Sequence, residues 1–206
     1  LAFNVGTLVT HPDAYSHAME VAAGMLDGLD FRVRLIDIGG GFPRSYPGFP
    51  VPPMEEFFDA VRAGRRALPL KENGELLAEP GRALSAPGLS AVVRVLLRKD
   101  NRLYLNDGMY GIFWELRFKA HTRYPVRVFR GGESLDGAES MFRLFGPTCD
   151  ASDVLPAEVS LPADIGAGDY LEFGNIGAYS LSGRTDFNGH FSDRIIEIAA
   201  PGELPP

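Results

Sequence analysis

The chain has 206 residues, a formal net charge of −7, and 45% hydrophobic and 23% charged residues, an ordinary globular composition. That length fits one large domain or two small ones. The acidic balance argues against a nucleic-acid surface, which needs a basic stripe, and no apolar run approaches the roughly 20 residues of a membrane span.

The N-terminal LAFNVGTLV lacks a basic segment, so it reads as a strand rather than a signal peptide. A single cysteine, Cys149, has no internal disulfide partner, which makes a reducing cytoplasm the expected compartment. Gly and Pro fall between apolar runs, the mark of many turns joining short elements.

Residues 1–86 alternate strand and helix. Ala2–Gly6 is a short apolar run. Pro12 opens a helix in which Ala18, Val21, Ala22, Met25 and Leu29 share a face. Phe31–Ile38 alternates as a strand and ends in Gly39, Gly40 and Gly41. Pro53 starts a second helix with Met54, Phe57, Phe58, Val61 and Leu68 at helical spacing. Glu75–Ala78 is a third strand, ending at Glu79-Pro80-Gly81-Arg82. Such repeats predict parallel β/α units. Three strands cannot close an eight-stranded barrel, so their edges need another segment or chain to cover them.

From residue 87 onward the expectation is an all-β domain, a sandwich or small barrel. Its predicted strands are Leu89–Arg98, Arg102–Asn106, Ile112–Phe118, Tyr124–Phe129, Met141–Phe145, Tyr170–Phe173 and Arg194–Ile198. The boundary falls within Ala83–Gly88.

Chemistry in β/α folds sits at the C-terminal ends of strands, and the unusual residues here follow strands directly. Successive glycines let backbone N–H groups approach an anion, although a glycine triplet alone is equally a flexible turn. Arg82 carries a guanidinium fork suited to phosphate, while Glu79 is poorly placed for a structural role without a cationic or N–H partner. Together they form a phosphate cradle with an adjacent carboxylate, as a pyridoxal-phosphate site requires. His11, His17, His121 and His190 show no metal-ligand spacing.

The segments IDIGGGFP, EPGR, YLNDGMYG, FGPTCDASD and GAYSLSGRTDFNG, in this order, resemble the ornithine/lysine/diaminopimelate decarboxylase family of fold-type III pyridoxal-phosphate enzymes. The resemblance implies part of an alanine-racemase-like (β/α)8 barrel over residues 1–86, then a β domain over 87–206. It implies a head-to-tail homodimer with shared active sites and a small amino-acid substrate. In that reading Gly39, Gly40, Gly41, Gly81, Arg82 and Tyr179 bind the phosphate, with Thr7 near it. Glu79 partners the pyridine nitrogen. Asn4 stands where the family has a ring-stacking histidine. Cys149 and Asp150 enter a neighbour's site, the cysteine to protonate carbon after CO2 leaves and the aspartate to grip a distal amine. Tyr110 and Phe187 line that pocket.

Taken singly, Tyr110 and Phe187 read equally as packing residues, Asp150 as a turn former and Cys149 as a small hydrophobe. The family's Schiff-base lysine would precede Leu1, and Lys71, Lys99 and Lys119 do not replace it, so the chain alone is expected to be inactive. Lys119 occupies the position of a second acid that meets the distal amine, leaving either Glu115 or Asp150 alone for that task. The implied activity of the parent is decarboxylation of a basic amino acid, ornithine first and lysine next. The alternative is a non-catalytic homologue that binds a partner.

Overall fold

The computed structural model describes residues 1–120, 122–190 and 192–198. Its first part is a parallel β/α layer of α1 (Asp13–Leu26), β1 (Val33–Asp37), α2 (Met54–Arg65) and β2 (Leu70–Leu77). β1 pairs with β2 in parallel. The Ala2–Gly6 run contributes one parallel bridge, Ala2 to Asp37, reinforced by Phe3 N–H donating to Asp37 O at 3.0 Å. Three strand ends therefore lie side by side.

The buried face of α1 is Tyr15, Met19 and Ala22; of the predicted face only Ala22 is buried, and Val21 and Met25 are exposed. The reason lies across the helix pair. A Cβ on Gly64 of α2 would stand 2.7 Å from the Met19 sulfur, so the missing side chain admits Met19 and selects that face. Phe57 of α2 is buried as expected, whereas Phe58 is exposed. β2 begins at Leu70, five residues earlier than its apolar end suggests, because Lys71–Asn73 run exposed at the surface.

A short helix, α3 (Gly81–Ser85), and a 3-10 turn (Ala86–Gly88) lead into the second part. There β3 (Ala91–Lys99), β4 (Arg102–Leu105), β5 (Val126–Arg130), β6 (Glu133–Ser134), β7 (Glu139–Phe145), β8 (Val159–Pro162) and β9 (Tyr170–Phe173) form one sheet. Its order is β6-β5-β9-β3-β4-β7-β8. Only β4 and β7 pair in parallel among these neighbours. β3 joins the two halves of this sheet: Ala91–Arg94 pair with β9, and Val95–Lys99 pair with β4, with a register shift between Val95 and Leu97. Alternate residues Ala91, Val93 and Val95 face the core, where they meet Leu103, Phe113, Phe142 and Leu171. The chain thus adopts the expected class, a β/α layer followed by an all-β part.

Two predicted strands are absent. Ile112–Phe118 is a turn containing a 3-10 helix at Trp114–Arg117. The buried Asp107 carboxylate accepts the N–H groups of Gly108 and Ile112, which closes the backbone on itself instead of leaving it for a ladder. Ile112, Phe113 and Leu116 still reach the core, now at helical spacing. Arg194–Ile198 has no regular structure, and Ile195, Ile196 and Ile198 are exposed: apolar alternation makes a strand only where a partner strand accepts it. No helix among the described residues is long and apolar enough to cross a membrane.

A buried ion pair clamps the two parts. Arg82 of α3 donates from both terminal nitrogens to Glu115 of the 3-10 turn, Nη1 to Oε2 at 3.0 Å and Nη2 to Oε1. The two side chains are only 4% and 6% exposed. Tyr46 Oη accepts from Arg82 Nη1 at 3.2 Å and donates to Asn175 O at 3.3 Å. Tyr124 Oη donates to Glu115 Oε2 at 3.3 Å. Burial opposes the charge on Arg82, but the Glu115 contacts outweigh it and hold the guanidinium protonated.

Removing one partner strands a buried charge, so E115A is expected to cost about 3–5 kcal/mol in urea unfolding, while an R82M/E115L double variant loses much less. G40A should cost about 1–3 kcal/mol, because its Cβ would stand 2.8 Å from Glu79 O and must push two strand ends apart. A thermal melt unchanged by G40A would contradict that packing.

Candidate active site

The three aligned strand ends bring Asn4, Gly39, Gly40, Gly41 and Glu79 together. Glycine is required throughout the triplet, since an added Cβ would meet Phe3 O at 2.3 Å from Gly39 and Gly6 O at 2.8 Å from Gly41. Gly39 and Gly41 also have φ of +71° and +93°, a region other residues seldom adopt.

The backbone accounting at the triplet is lopsided. Gly39 O accepts from Glu79 N–H at 2.8 Å and Gly41 O from Val9 N–H at 3.0 Å. Gly40 O accepts from the buried Tyr15 hydroxyl at 2.7 Å. All three carbonyls are thus turned into the fold. Gly39 N–H donates to Asp37 Oδ1 at 2.9 Å, but the N–H groups of Gly40 and Gly41 have no partner among the described residues. Two free N–H groups on a left-handed turn are a ready anion site.

Beside them stands the clamp. Both terminal nitrogens of Arg82 are committed to Glu115 and Tyr46, and its Nε is buried and without a partner among the described residues. The Tyr179 ring lies 5.0 Å from the guanidinium. Gly177 makes that approach feasible, as a Cβ there would collide with Ser85 O. Gly81 N–H, expected to face an anion, instead donates to Glu79 O at 2.7 Å. The Glu79 side chain is exposed with no hydrogen-bond partner among the described residues. Asn4 Oδ1 accepts from Gly6 N–H at 2.9 Å, which bends the chain towards Thr7, itself exposed. Unsatisfied N–H donors, an orphan guanidinium nitrogen and a free carboxylate form a donor set that fits a phosphate joined to a protonated pyridine.

A second group gathers the remaining predicted residues. Tyr110 Oη donates to Asp150 Oδ2 at 2.5 Å, and Ser152 N–H donates to Asp150 Oδ1 at 2.7 Å. Phe187 stacks on the Tyr110 ring with centroids 4.4 Å apart. Cys149 is exposed and unpaired, and Asn188 Nδ2 donates to its sulfur at 3.4 Å. The Tyr110 hydroxyl, and after it Ser152 and the nearby Arg117 charge, hold the Asp150 carboxyl down at about 2.

Another carboxylate holds both loops in place. Asp153, 2% exposed, accepts from Met109 N–H at 2.7 Å and from Thr148 N–H and Oγ1 at 3.0 and 2.8 Å. Gly108 and Gly146 leave it the room, for a Cβ on either would lie 2.2 or 2.1 Å from Asp153 Oδ1.

Sequence reasoning missed Tyr46, Asn188, Asp153 and the pairing of Glu115. Only Glu115 left a trace, as a charge inside the apolar IFWELRF. Its burial against Arg82 removes it as a contact for a substrate amine. Among the described residues no hydrogen bond, ion pair or ring contact joins the two groups directly; the Trp114–Arg117 turn connects them, through Glu115 on one side and Arg117 on the other.

Residues 1–86 match the pyridoxal binding domain of pyridoxal-dependent decarboxylases, and residues 88–177 match their C-terminal sheet domain. Decarboxylase flvG of Aspergillus flavus is 33% identical over 94% of this chain and 48% of its own length. Antizyme inhibitor 2 of Xenopus laevis is 30% identical over 98% of the chain and 47% of its own. The lysine/ornithine decarboxylase of Vibrio vulnificus, solved with cadaverine, superposes with a TM-score of 0.77 at 31% identity, covering 94% of this chain and 55% of that one. The chain spans about half the length of the curated relatives it matches. With both of the family's domains matched in order, and with a donor set suited to its cofactor, the chain belongs to the pyridoxal-dependent decarboxylase family.

Proposed function

We propose that the protein carrying this chain decarboxylates an α-amino acid with a distal amine, ornithine first and lysine next, to a diamine and CO2. It does so as a cytoplasmic homodimer. The observation that carries this reading is the glycine triplet: its carbonyls are all bound inward and two N–H groups are left for an anion, beside the Arg82 Nε and the Glu79 carboxylate. Gly81, with its own N–H used in the turn, contributes the close backbone approach rather than a donor.

Pyridoxal phosphate bound here supplies an electron sink for the pair released at carbon when CO2 departs. Gly40 N–H, Gly41 N–H, Arg82 Nε and the Tyr179 hydroxyl hold its phosphate, with Thr7 at the margin. Glu79 accepts the pyridine N–H and keeps that nitrogen protonated. Asn4 offers an amide plane to the ring in place of an imidazole. In the neighbouring subunit's site, Cys149 delivers a proton from its sulfur to carbon, with Asn188 orienting the thiol. Asp150 takes the distal ammonium, and Tyr110 and Phe187 form the wall around it.

The likeness to Antizyme inhibitor 2 favours a second reading, a non-catalytic homologue that binds a regulatory partner. The full-length protein separates the two: CO2 release from ornithine or lysine with pyridoxal phosphate supports the enzyme, and its absence supports the binding protein. If sites are shared across a dimer, E79A and D150A proteins, each inactive, should regain about a quarter of wild-type turnover when mixed and reassembled. Recovery of nothing would place Glu79 and Asp150 in one subunit's site.

Because Asp150 is held at about 2, its anionic form persists well below neutrality, and diamine binding should not lapse through Asp150 as pH falls towards 4. Y110F removes the main cause, so the Asp150 carboxyl should climb towards the ordinary value of about 3.9. Carbon-13 NMR of the labelled carboxyl measures this; an unmoved titration would mean that Tyr110 does not set it.

A further inference from the structure

Tyr15 stands in the first turn of α1 and is fully buried, in the same apolar cluster as Met19, Ile38, Phe42 and Phe57. Its ring stacks on Phe42 with centroids 4.6 Å apart and meets Phe57 edge to face at 6.2 Å. A phenylalanine would fill that space with no polar group to desolvate, and a buried hydroxyl is costly unless it is bonded. This hydroxyl donates to Gly40 O at 2.7 Å, inside the glycine triplet. Burial pushes its pKa up, so it stays a donor across the range in which an enzyme works.

The consequence lies in the peptide unit that receives the bond. Gly40 C=O and Gly41 N–H share one rigid plane, and in a trans peptide they point in opposite directions. A hydroxyl that draws Gly40 O into the fold therefore turns Gly41 N–H out of it. Backbone groups fix the units on either side: Glu79 N–H holds Gly39 O at 2.8 Å, and Val9 N–H holds Gly41 O at 3.0 Å. The unit between them is anchored by a side chain. Glycines at both of its ends offer no Cβ to bar rotation of that plane. The fit is close, for a Cβ on Gly41 would stand 3.2 Å from the Tyr15 hydroxyl.

We propose that Tyr15 is a positioning residue of the cofactor site: acting through Gly40 O, its hydroxyl fixes the Gly40–Gly41 peptide so that Gly41 N–H faces the phosphate. The inference rests on the pyridoxal-phosphate reading of the triplet and adds to it a residue that lies behind the site and touches no ligand. Packing alone would call for the ring and not for the hydroxyl.

The full-length protein, stripped of cofactor, tests this by calorimetric titration with pyridoxamine 5′-phosphate and with pyridoxamine, which differ only in the phosphate. The wild type should bind the phosphate ester more tightly. Tyr15→Phe keeps the ring and removes the hydroxyl. It should narrow that preference about tenfold or more, as expected for a hydrogen bond to a charged group, and leave the affinity for pyridoxamine unchanged. The phosphorus-31 resonance of the bound ester should shift as well. Phe57→Leu loosens the packing around the ring but spares the hydroxyl, so it should lower the melting temperature and retain the preference. A wild-type preference in Tyr15→Phe overturns the proposal, as does an equal loss of both ligands. Loss of the preference in Phe57→Leu to the same degree would make Tyr15 a packing residue and overturn it too. Should the wild type bind pyridoxamine as tightly as its phosphate ester, the phosphate reading of the triplet fails and takes this inference with it.

Discussion

The buried pair of Arg82 and Glu115 is the constraint around which the rest of the chain is arranged. Two charges taken out of water repay their desolvation only when their geometry is good and their remaining hydrogen-bonding capacity is met. Tyr46 and Tyr124 serve that need, one from each part of the chain, and their rings meet edge to face at 5.8 Å. The pair therefore requires α3, the Trp114–Arg117 turn, the loop before α2 and the segment leading into β5 to come together. It also sets the direction of the guanidinium: both terminal nitrogens are anchored, and Nε is left without a partner among the described residues. A residue at the boundary of two folding units thus becomes an orienting element of the candidate site.

The same economy governs the glycine triplet. Backbone carbonyls and N–H groups are obligatory hydrogen-bonding groups, and buried ones are nearly always paired. Here neighbouring strand ends and the Tyr15 hydroxyl take up the carbonyls, so the surplus is entirely of donors. Asp153 and Asp107 apply the converse rule in the second part: each is a buried carboxylate fed by backbone N–H groups from the loops that present Tyr110, Cys149 and Asp150. Burial still pushes the Asp107 carboxyl up, with the N–H groups of Ile112 and Gly108 opposing it. Such loops can be irregular because their polar groups are answered locally.

Much of this was legible because it depends on short-range features. The end of β1 in three glycines and the end of β2 in Glu-Pro-Gly-Arg mark where strands stop and ligand-facing backbone begins. Asn-Asp-Gly before Tyr110 and Gly-Pro-Thr before Cys149 mark turns, and the structure presents both residues on loops. Errors came where a local pattern had two solutions. The α1 helix had two plausible apolar faces, and Gly64 on a different helix chose between them. Ile112–Phe118 satisfied strand alternation and helical spacing alike, and the Asp107 carboxylate decided for the turn.

The sequence by itself determined the order of β/α and all-β parts, the strand ends that carry chemistry, and the family, since all of these are written in contiguous residues. Only the tertiary structure decided that Glu115 belongs to Arg82 and not to a substrate, and that Gly81 spends its N–H within its own turn. It alone set Arg117 over the ring of Tyr110, whose hydroxyl holds Asp150. The first of these depends on polar groups that meet across 33 residues and are desolvated together. Pairing in space, unlike periodicity along the chain, leaves almost no trace in local sequence.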